Sequence, residues 1–253
     1  MTAVIGRIKA CLNGGRGTRD HPAVPVTPAQ LAAAAAGAVA AGAQALHLHP
    51  RGPGGRESLD ARDIGAGVAA VRSAGVPVGV STGLWITGGD LARRRVLVHG
   101  WARLAAHERP DFASVNVSEP GFADLVAVLA EAGIAAEAGV WSVDDAERLT
   151  DVDLERVLIE VIDAPAAEAA GTADAIAARL DSRGITTPRL MHGEGDACWP
   201  LIAHAGRLGV PTRMGLEDTL LNPDGTPATD NADLVRRALE LWTAAGAQAG
   251  RST

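Results

Sequence analysis

The chain has 253 residues, 47% hydrophobic and 21% charged, with 30 acidic against 23 basic residues and a formal charge of −7. Such apolar content excludes an intrinsically disordered chain. The acidic balance, with five Trp, two Phe and no Tyr, excludes the basic, aromatic-studded surface of a sequence-general nucleic-acid binder. Lys9 is the only lysine, so a Schiff-base or P-loop mechanism would rest on that one residue. The longest apolar stretch, Leu31 to Ala45, is rich in alanine and glycine and too short to be a membrane span. Cys11 and Cys198 are too few and too isolated for a disulfide framework or a cysteine zinc site. No secretory segment is legible, and the expected location is the cytoplasm.

In chain order, short β-branched or apolar runs alternate with longer amphipathic ones. The pairs are strand Ile5–Leu12 with helix Pro28–Ala41, Ala45–His49 with Ala61–Ala74, Val76–Ser81 with Asp90–Glu108, and Phe112–Val117 with Phe122–Ala132. They continue with Ile134–Gly139 and Val143–Leu149, Arg156–Ile162 and Ala166–Arg183, Arg189–His192 and Cys198–Leu208, and Thr212–Leu216 and Asn231–Ala245. Thr27, Asp60, Ser142 and Asp230 are placed as N-caps; Gly42, Gly75, Gly133, Gly184, Gly209 and Gly246 follow helices as terminating glycines. Eight strand–helix units predict a parallel sheet, because parallel strands need long crossovers. At this length they predict one (β/α)8 TIM barrel over 1–253, with its site at the C-terminal strand ends. A doubly wound open sheet is the alternative. Against it, the glycines of Asn13-Gly14-Gly15-Arg16-Gly17 fit neither a dinucleotide fingerprint nor a P-loop.

His47-Leu48-His49 closes the second strand. Period 2 sets both imidazoles on one face with backbones roughly 7 Å apart. The pair alone reads either as two polar rim residues or as two metal ligands. The eighth strand ends in Arg213-Met214-Gly215-Leu216-Glu217-Asp218, with Arg213 on the parity of Glu217. Strands 2 and 8 reach a common centre in a closed eight-stranded barrel. Two histidines and one carboxylate then make a metal site with open positions, as catalytic sites have. The bland reading of the two carboxylates is a cap or a solvated loop pair. Asn13, Ser81, Ser114, Asn116, Glu137, Glu160 and His192 stand at or near other strand ends, and each alone reads as a hydrogen-bonded rim residue. Glu160 and His192 are left outside the candidate site. Arg93-Arg94-Arg95 reads as a solvated helix face.

Val24-Pro25-Val26-Thr27-Pro28-Ala29-Gln30-Leu31, Ala41-Gly42-Ala43, His47-Leu48-His49-Pro50-Arg51, Ser81-Thr82-Gly83, Ala113-Ser114-Val115-Asn116, Glu137 and the Arg213–Asp218 run together resemble the β-keto acid cleavage enzymes. That family includes 3-keto-5-aminohexanoate cleavage enzyme. The resemblance implies a TIM barrel with Zn2+ on His47, His49 and Glu217, and acetyl-CoA as co-substrate of a β-keto acid. It implies Asp218 as the base positioned by Arg213, and Ser81 and Ser114 on the reacting oxygens. Asn13, Arg16, Asn116 and Glu137 are placed with the substrate, and a homo-oligomer is implied. Ser114 stands where the aminohexanoate enzyme has threonine, and Arg16 where it has an acidic residue suited to an amino group. An arginine suits an anionic or polar distal group instead, so a different β-keto acid is expected, unless Arg16 meets a CoA phosphate. Two readings compete: a zinc-dependent hydrolase, and a non-catalytic barrel binding a CoA ester or metabolite. The first expects His-x-His on strand 1 with histidine and lysine on strands 5 and 6, which this chain lacks.

Overall fold

The computed structural model describes residues 5–149 and 152–250; both ends of the single-domain span, and residues 150–151, lie outside the described residues. Eight parallel strands form a nearly closed barrel: β1 (Ile8–Cys11), β2 (Ala45–Leu48), β3 (Val78–Ser81), β4 (Phe112–Asn116), β5 (Ala135–Val140), β6 (Arg156–Val161), β7 (Arg189–Gly193) and β8 (Thr212–Met214). Pairing runs in the order β7-β6-β5-β4-β3-β2-β1-β8. The seam between β7 and β8 is bridged where Met191 N donates to Pro211 O at 2.9 Å and Thr212 Oγ1 donates to Met191 O at 2.8 Å. The alternation of eight strands with eight helices is therefore a (β/α)8 TIM barrel, and the open sheet is set aside.

The outer ring consists of α1 (Pro28–Ala40), α2 (Ala61–Val71), α3 (Leu91–His99), α4 (Phe122–Glu131), α5 (Val143–Arg148), α6 (Ala169–Ser182), α7 (Cys198–Leu208) and α8 (Asn231–Ala249). Each expected N-cap is one. Thr27 forms a full capping box with Gln30, and Asp60, Ser142 and Asp230 each accept from a first-turn amide. Asp90, expected as a first helical residue, instead caps α3 by accepting from Arg93 N.

Among the boundaries that differ from expectation, including β1 starting at Ile8 and α6 at Ala169, four have local reasons. The second helix narrows to a 3-10 turn over Arg72–Ala74 before Gly75. The third ends at His99, and a 3-10 turn at Gly100–Arg103 turns Trp101 into the core, where its indole donates to Leu59 O at 2.9 Å. Gly246 does not terminate the last helix but lies inside α8, opposite Gly206 of α7. A β-carbon at Gly206 would overlap the Trp242 backbone, so the two glycines serve close helix packing. The eighth strand stops at Met214, because the chain turns at Gly215, where a β-carbon would overlap the Cys11 carbonyl. That turn, with Asp218 N donating to Gly215 O at 2.9 Å, replaces the strand parity expected for Glu217.

The barrel interior is not wholly apolar. Near its floor Lys9 Nζ meets Glu137 Oε2 at 2.6 Å, Arg156 meets Glu137 Oε1, and both cations flank the Phe112 ring at 5.4 and 5.3 Å. Lys9 and Glu137 are fully buried, so this triad plugs the barrel beneath the strand ends. Among the described residues no helix is long and apolar enough to cross a membrane.

Candidate active site

A cavity of about 410 Å³ opens at the C-terminal strand ends. His47 and His49 reach it from the end of β2, and Glu217 from the turn after β8. His47 Nε2 and His49 Nε2 lie 3.1 Å apart, and Glu217 Oε1 is 3.9 and 3.6 Å from them. Gly14 must lack a side chain here, since a β-carbon would overlap Glu217, and its φ of +51° is left-handed.

These three donors fit a zinc ion. Zinc bonds N and O ligands at about 2.0–2.1 Å, so tetrahedral coordination spaces its ligands roughly 3.3 Å apart. The observed separations bracket that value. Glu217 Oε2 and His47 Nδ1 are buried with no hydrogen bond among the described residues. The electrostatics favour a single positive charge on the histidine pair. Burial lowers both rings, but Glu217 and Glu57 raise His49 to about 9. His47, lacking the Glu57 contact and facing the His49 charge, is lowered to about 3. Burial raises the Glu217 carboxyl, yet Arg213 and the two histidines outweigh it and hold it well below the usual range.

A second carboxylate cluster, Glu194 with Glu217 and Asp218, already holds a cation. Arg213 Nη2 sits 2.8 Å from Asp218, 3.1 Å from Glu217 and 3.5 Å from Glu194, and Arg213 Nε donates to Asp218 at 2.9 Å. Burial raises the Asp218 carboxyl above its ordinary value, with Arg213 only partly opposing. Burial, reinforced by Asp218 and Glu217, pushes Glu194 up to about 8.

The other expected residues fall into two groups. Arg16, Ser81, Ser114 and Asn116 line the cavity with the donor triad and Arg213. Arg16 Nε donates to Glu217 O at 3.2 Å, and Arg16 has no carboxylate partner among the described residues. Asn13, Glu137 and Asp218 do not line it. Asn13 instead ties loops together: its amide donates to Pro25 O and His49 O, and accepts from His49 N at 2.8 Å. Glu137, expected beside the substrate, is held below the cavity by Lys9 and Arg156. Asp218 is fully buried behind Arg213.

Several residues were not anticipated. Glu160 and His192, left out on sequence grounds, belong to this end of the barrel. Glu160 lines the cavity, accepts from Trp141 Nε1 at 2.8 Å and faces His192 Nε2 at 3.4 Å. His192 Nδ1 is 3.8 Å from Asp218. Burial raises the Glu160 carboxyl, but His192 and Arg213 draw it down to about 2. Glu57 and Trp85, in the loops after β2 and β3, lie beside His49, Glu57 meeting His49 Nδ1 at 2.5 Å and accepting from Trp85 Nε1 at 3.1 Å. The only signal for Glu57 was the Gly52-Pro53-Gly54-Gly55 turn, which doubles the chain back beside His-x-His. A larger cavity, about 550 Å³, lies at the opposite end between Ile5, Arg156, Arg189 and Pro211, away from the donor triad.

A sequence profile of the β-keto acid cleavage enzymes matches residues 7–251. The chain belongs to this family. No curated protein matches this β-keto acid cleavage family member in sequence. Among solved structures it is similar to the ternary complex of ObcA with C4-CoA adduct and oxalate, at 20% identity and TM-score 0.66, over 91% of this chain and 65% of that one. The binary complex of ObcA with oxaloacetate gives 17% identity and 0.66, over 87% and 63%. This chain thus spans less than two thirds of the ObcA length. Type I 3-dehydroquinate dehydratase from Clostridium difficile gives 9% identity and 0.65, over 98% and 95%. At these identities the likeness is one of fold.

Proposed function

We propose that this family member transfers an acyl group between a β-keto acid and acetyl-CoA, releasing acetoacetate and the acyl-CoA of the remaining fragment. The observation that carries the reading is the convergence of His47, His49 and Glu217 on one point of the cavity, beside the Arg213–Asp218 pair. Family membership supports the reaction class. The ObcA complexes, with a keto acid in one and a CoA adduct in the other, are consistent with it.

Zinc held by His47, His49 and Glu217 would supply a Lewis acid for the carboxylate and keto oxygens of the substrate. The protein's own groups do the rest. Arg213 fixes one oxygen of Asp218, leaving Oδ2 without a hydrogen bond among the described residues. Asp218 Oδ2, which lies behind Arg213 outside the cavity lining, takes the C2 proton when that guanidinium moves aside for the substrate, and its raised proton affinity suits a base. The carbanion attacks the acetyl thioester and CoA leaves as the thiolate. The thiolate then adds to the original keto carbon, the C2–C3 bond breaks with its electron pair on C2, and C2 takes back the proton held by Asp218 and departs with the new acetyl group as acetoacetate. Ser81 and Ser114, adjacent across β3 and β4, hydrogen-bond the reacting oxygens, and Asn116 bounds the acyl side. Arg213 is committed to carboxylates, so Arg16 is the cation available to a distal anion. The substrate is therefore a β-keto acid with a second carboxylate or another polar end, not an amine.

Zinc-loaded protein is tested with acetyl-CoA against a panel of β-keto acids, reading acetoacetate and new acyl-CoA. Turnover of a dicarboxylic β-keto acid ahead of 3-keto-5-aminohexanoate is expected. Arg16→Glu should reverse that preference by about 10-fold or more, the worth of one charge-assisted contact. Conversion of the β-keto acid to two carboxylic acids with acetyl-CoA unconsumed and no acetoacetate would point to a hydrolase, and zinc binding without turnover to a binding protein.

A further inference from the structure

The donor triad does not explain why His49 presents Nε2 to it. The tautomer and direction of a ligating imidazole are set by what its second nitrogen bonds. His49 Nδ1 lies 2.5 Å from Glu57 Oε1, while the other oxygen, Oε2, accepts from Trp85 Nε1 at 3.1 Å. The Trp85 ring also stacks on His49, with centroids 6.4 Å apart and planes 26° apart. Both oxygens of Glu57 are thus engaged, which fixes the carboxylate and, through it, the imidazole.

The backbone makes this contact reproducible. Arg51 and Glu57 face each other as an antiparallel bridge, and Gly52 N donates to Arg56 O at 2.9 Å. This small hairpin returns Glu57 to His49, eight residues upstream. Its other arm sends Arg51 to the carbonyls of Gly14 and Arg16, the latter at 2.8 Å. His47 has no equivalent, since its Nδ1 is buried without a partner among the described residues.

We propose that Glu57 is the orienting carboxylate of the metal centre and that Trp85 is its clamp. Glu57 is a positioning residue: it touches neither metal nor substrate, and sets the tautomer, direction and basicity of His49. The 51–57 hairpin then aligns the metal ligand and the Gly14–Arg16 loop together. This inference rests on the metal reading of the donor triad.

Its test is zinc affinity, measured by competition with a chromophoric chelator on the parent, Glu57→Gln and Trp85→Phe proteins. Cobalt(II) spectra of each report the ligand field. Glu57→Gln keeps the shape and should weaken zinc about 10–100-fold with a shifted cobalt spectrum. Trp85→Phe keeps a ring but loses the indole donor, and should weaken zinc about threefold, as loss of one hydrogen bond would. Trp85 is about half exposed (49%), so this variant folds and decides the matter if Glu57→Gln does not. Affinities and spectra equal to the parent's would overturn the proposal. A parent that binds no zinc would instead remove the metal reading itself.

Discussion

Asp218→Asn is expected to lower kcat/KM by about 10²–10⁴-fold, the usual contribution of a positioned general base, while zinc content stays at the parent level. The substitution keeps the volume and one acceptor beside Arg213 Nε, which donates to Asp218 at 2.9 Å. It removes the ability to take a proton together with one of the three carboxylate charges around Arg213 Nη2, so folding is checked by Tm alongside activity. Arg213 makes the contrast sharper. Its guanidinium contacts Asp218, Glu217 and Glu194 from one nitrogen, so Arg213→Lys should cost both turnover and zinc affinity, because one ammonium cannot reproduce a planar fork. If Asp218→Asn retains activity within tenfold of the parent, the base lies elsewhere. Glu194 is then next in line, since it lines the cavity and burial pushes it up to about 8.

The barrel was legible because local rules agreed with one another. Thr27, Asp60, Ser142 and Asp230 cap their helices, and β-branched runs separate amphipathic ones at a steady interval. His-x-His was legible because a strand end with period 2 needs no long-range information. What escaped depended on contacts distant in sequence. Arg94 sits in a run of three arginines that reads as solvated, yet it is 1% exposed. It pairs with Glu119 and donates to Pro120 O at 2.9 Å, and Glu119 in turn accepts from Asn116 Nδ2 and Leu84 N, each at 3.0 Å. Only the tertiary fold brings those loops to α3. Glu217 and Asp218 were placed near Arg213 for an incomplete reason: parity suggested it, but a turn at Gly215 achieves it. Gly246 was misplaced because a helix-ending glycine and a helix-packing glycine look alike until the neighbouring Gly206 backbone is known.

Glu137 separates a substrate contact from a structural one, and it carries the largest expected effect on stability. Its carboxylate is fully buried between Lys9 and Arg156, below the cavity. Glu137→Gln leaves both cations facing a neutral amide in a dry interior, and breaking a buried pair in this way costs about 3–5 kcal/mol. For a chain of this size that lowers Tm by roughly 6–20 °C. Burial raises the Glu137 carboxyl, but the two cations outweigh it and its folded pKa is depressed. Its stabilisation is therefore complete above the unfolded glutamate value of about 4.3 and lost as pH falls through the folded one. The parent's stability should fall more steeply with acid than that of Glu137→Gln. Adding Lys9→Met should restore part of the loss, because the remaining cation, Arg156, keeps Glu155 at 3.1 Å. Were Glu137 a substrate ligand, Glu137→Gln would raise KM and leave Tm in place. A plug of three charges beneath the strand ends predicts the opposite, a lowered Tm with KM unchanged in the protein that remains folded.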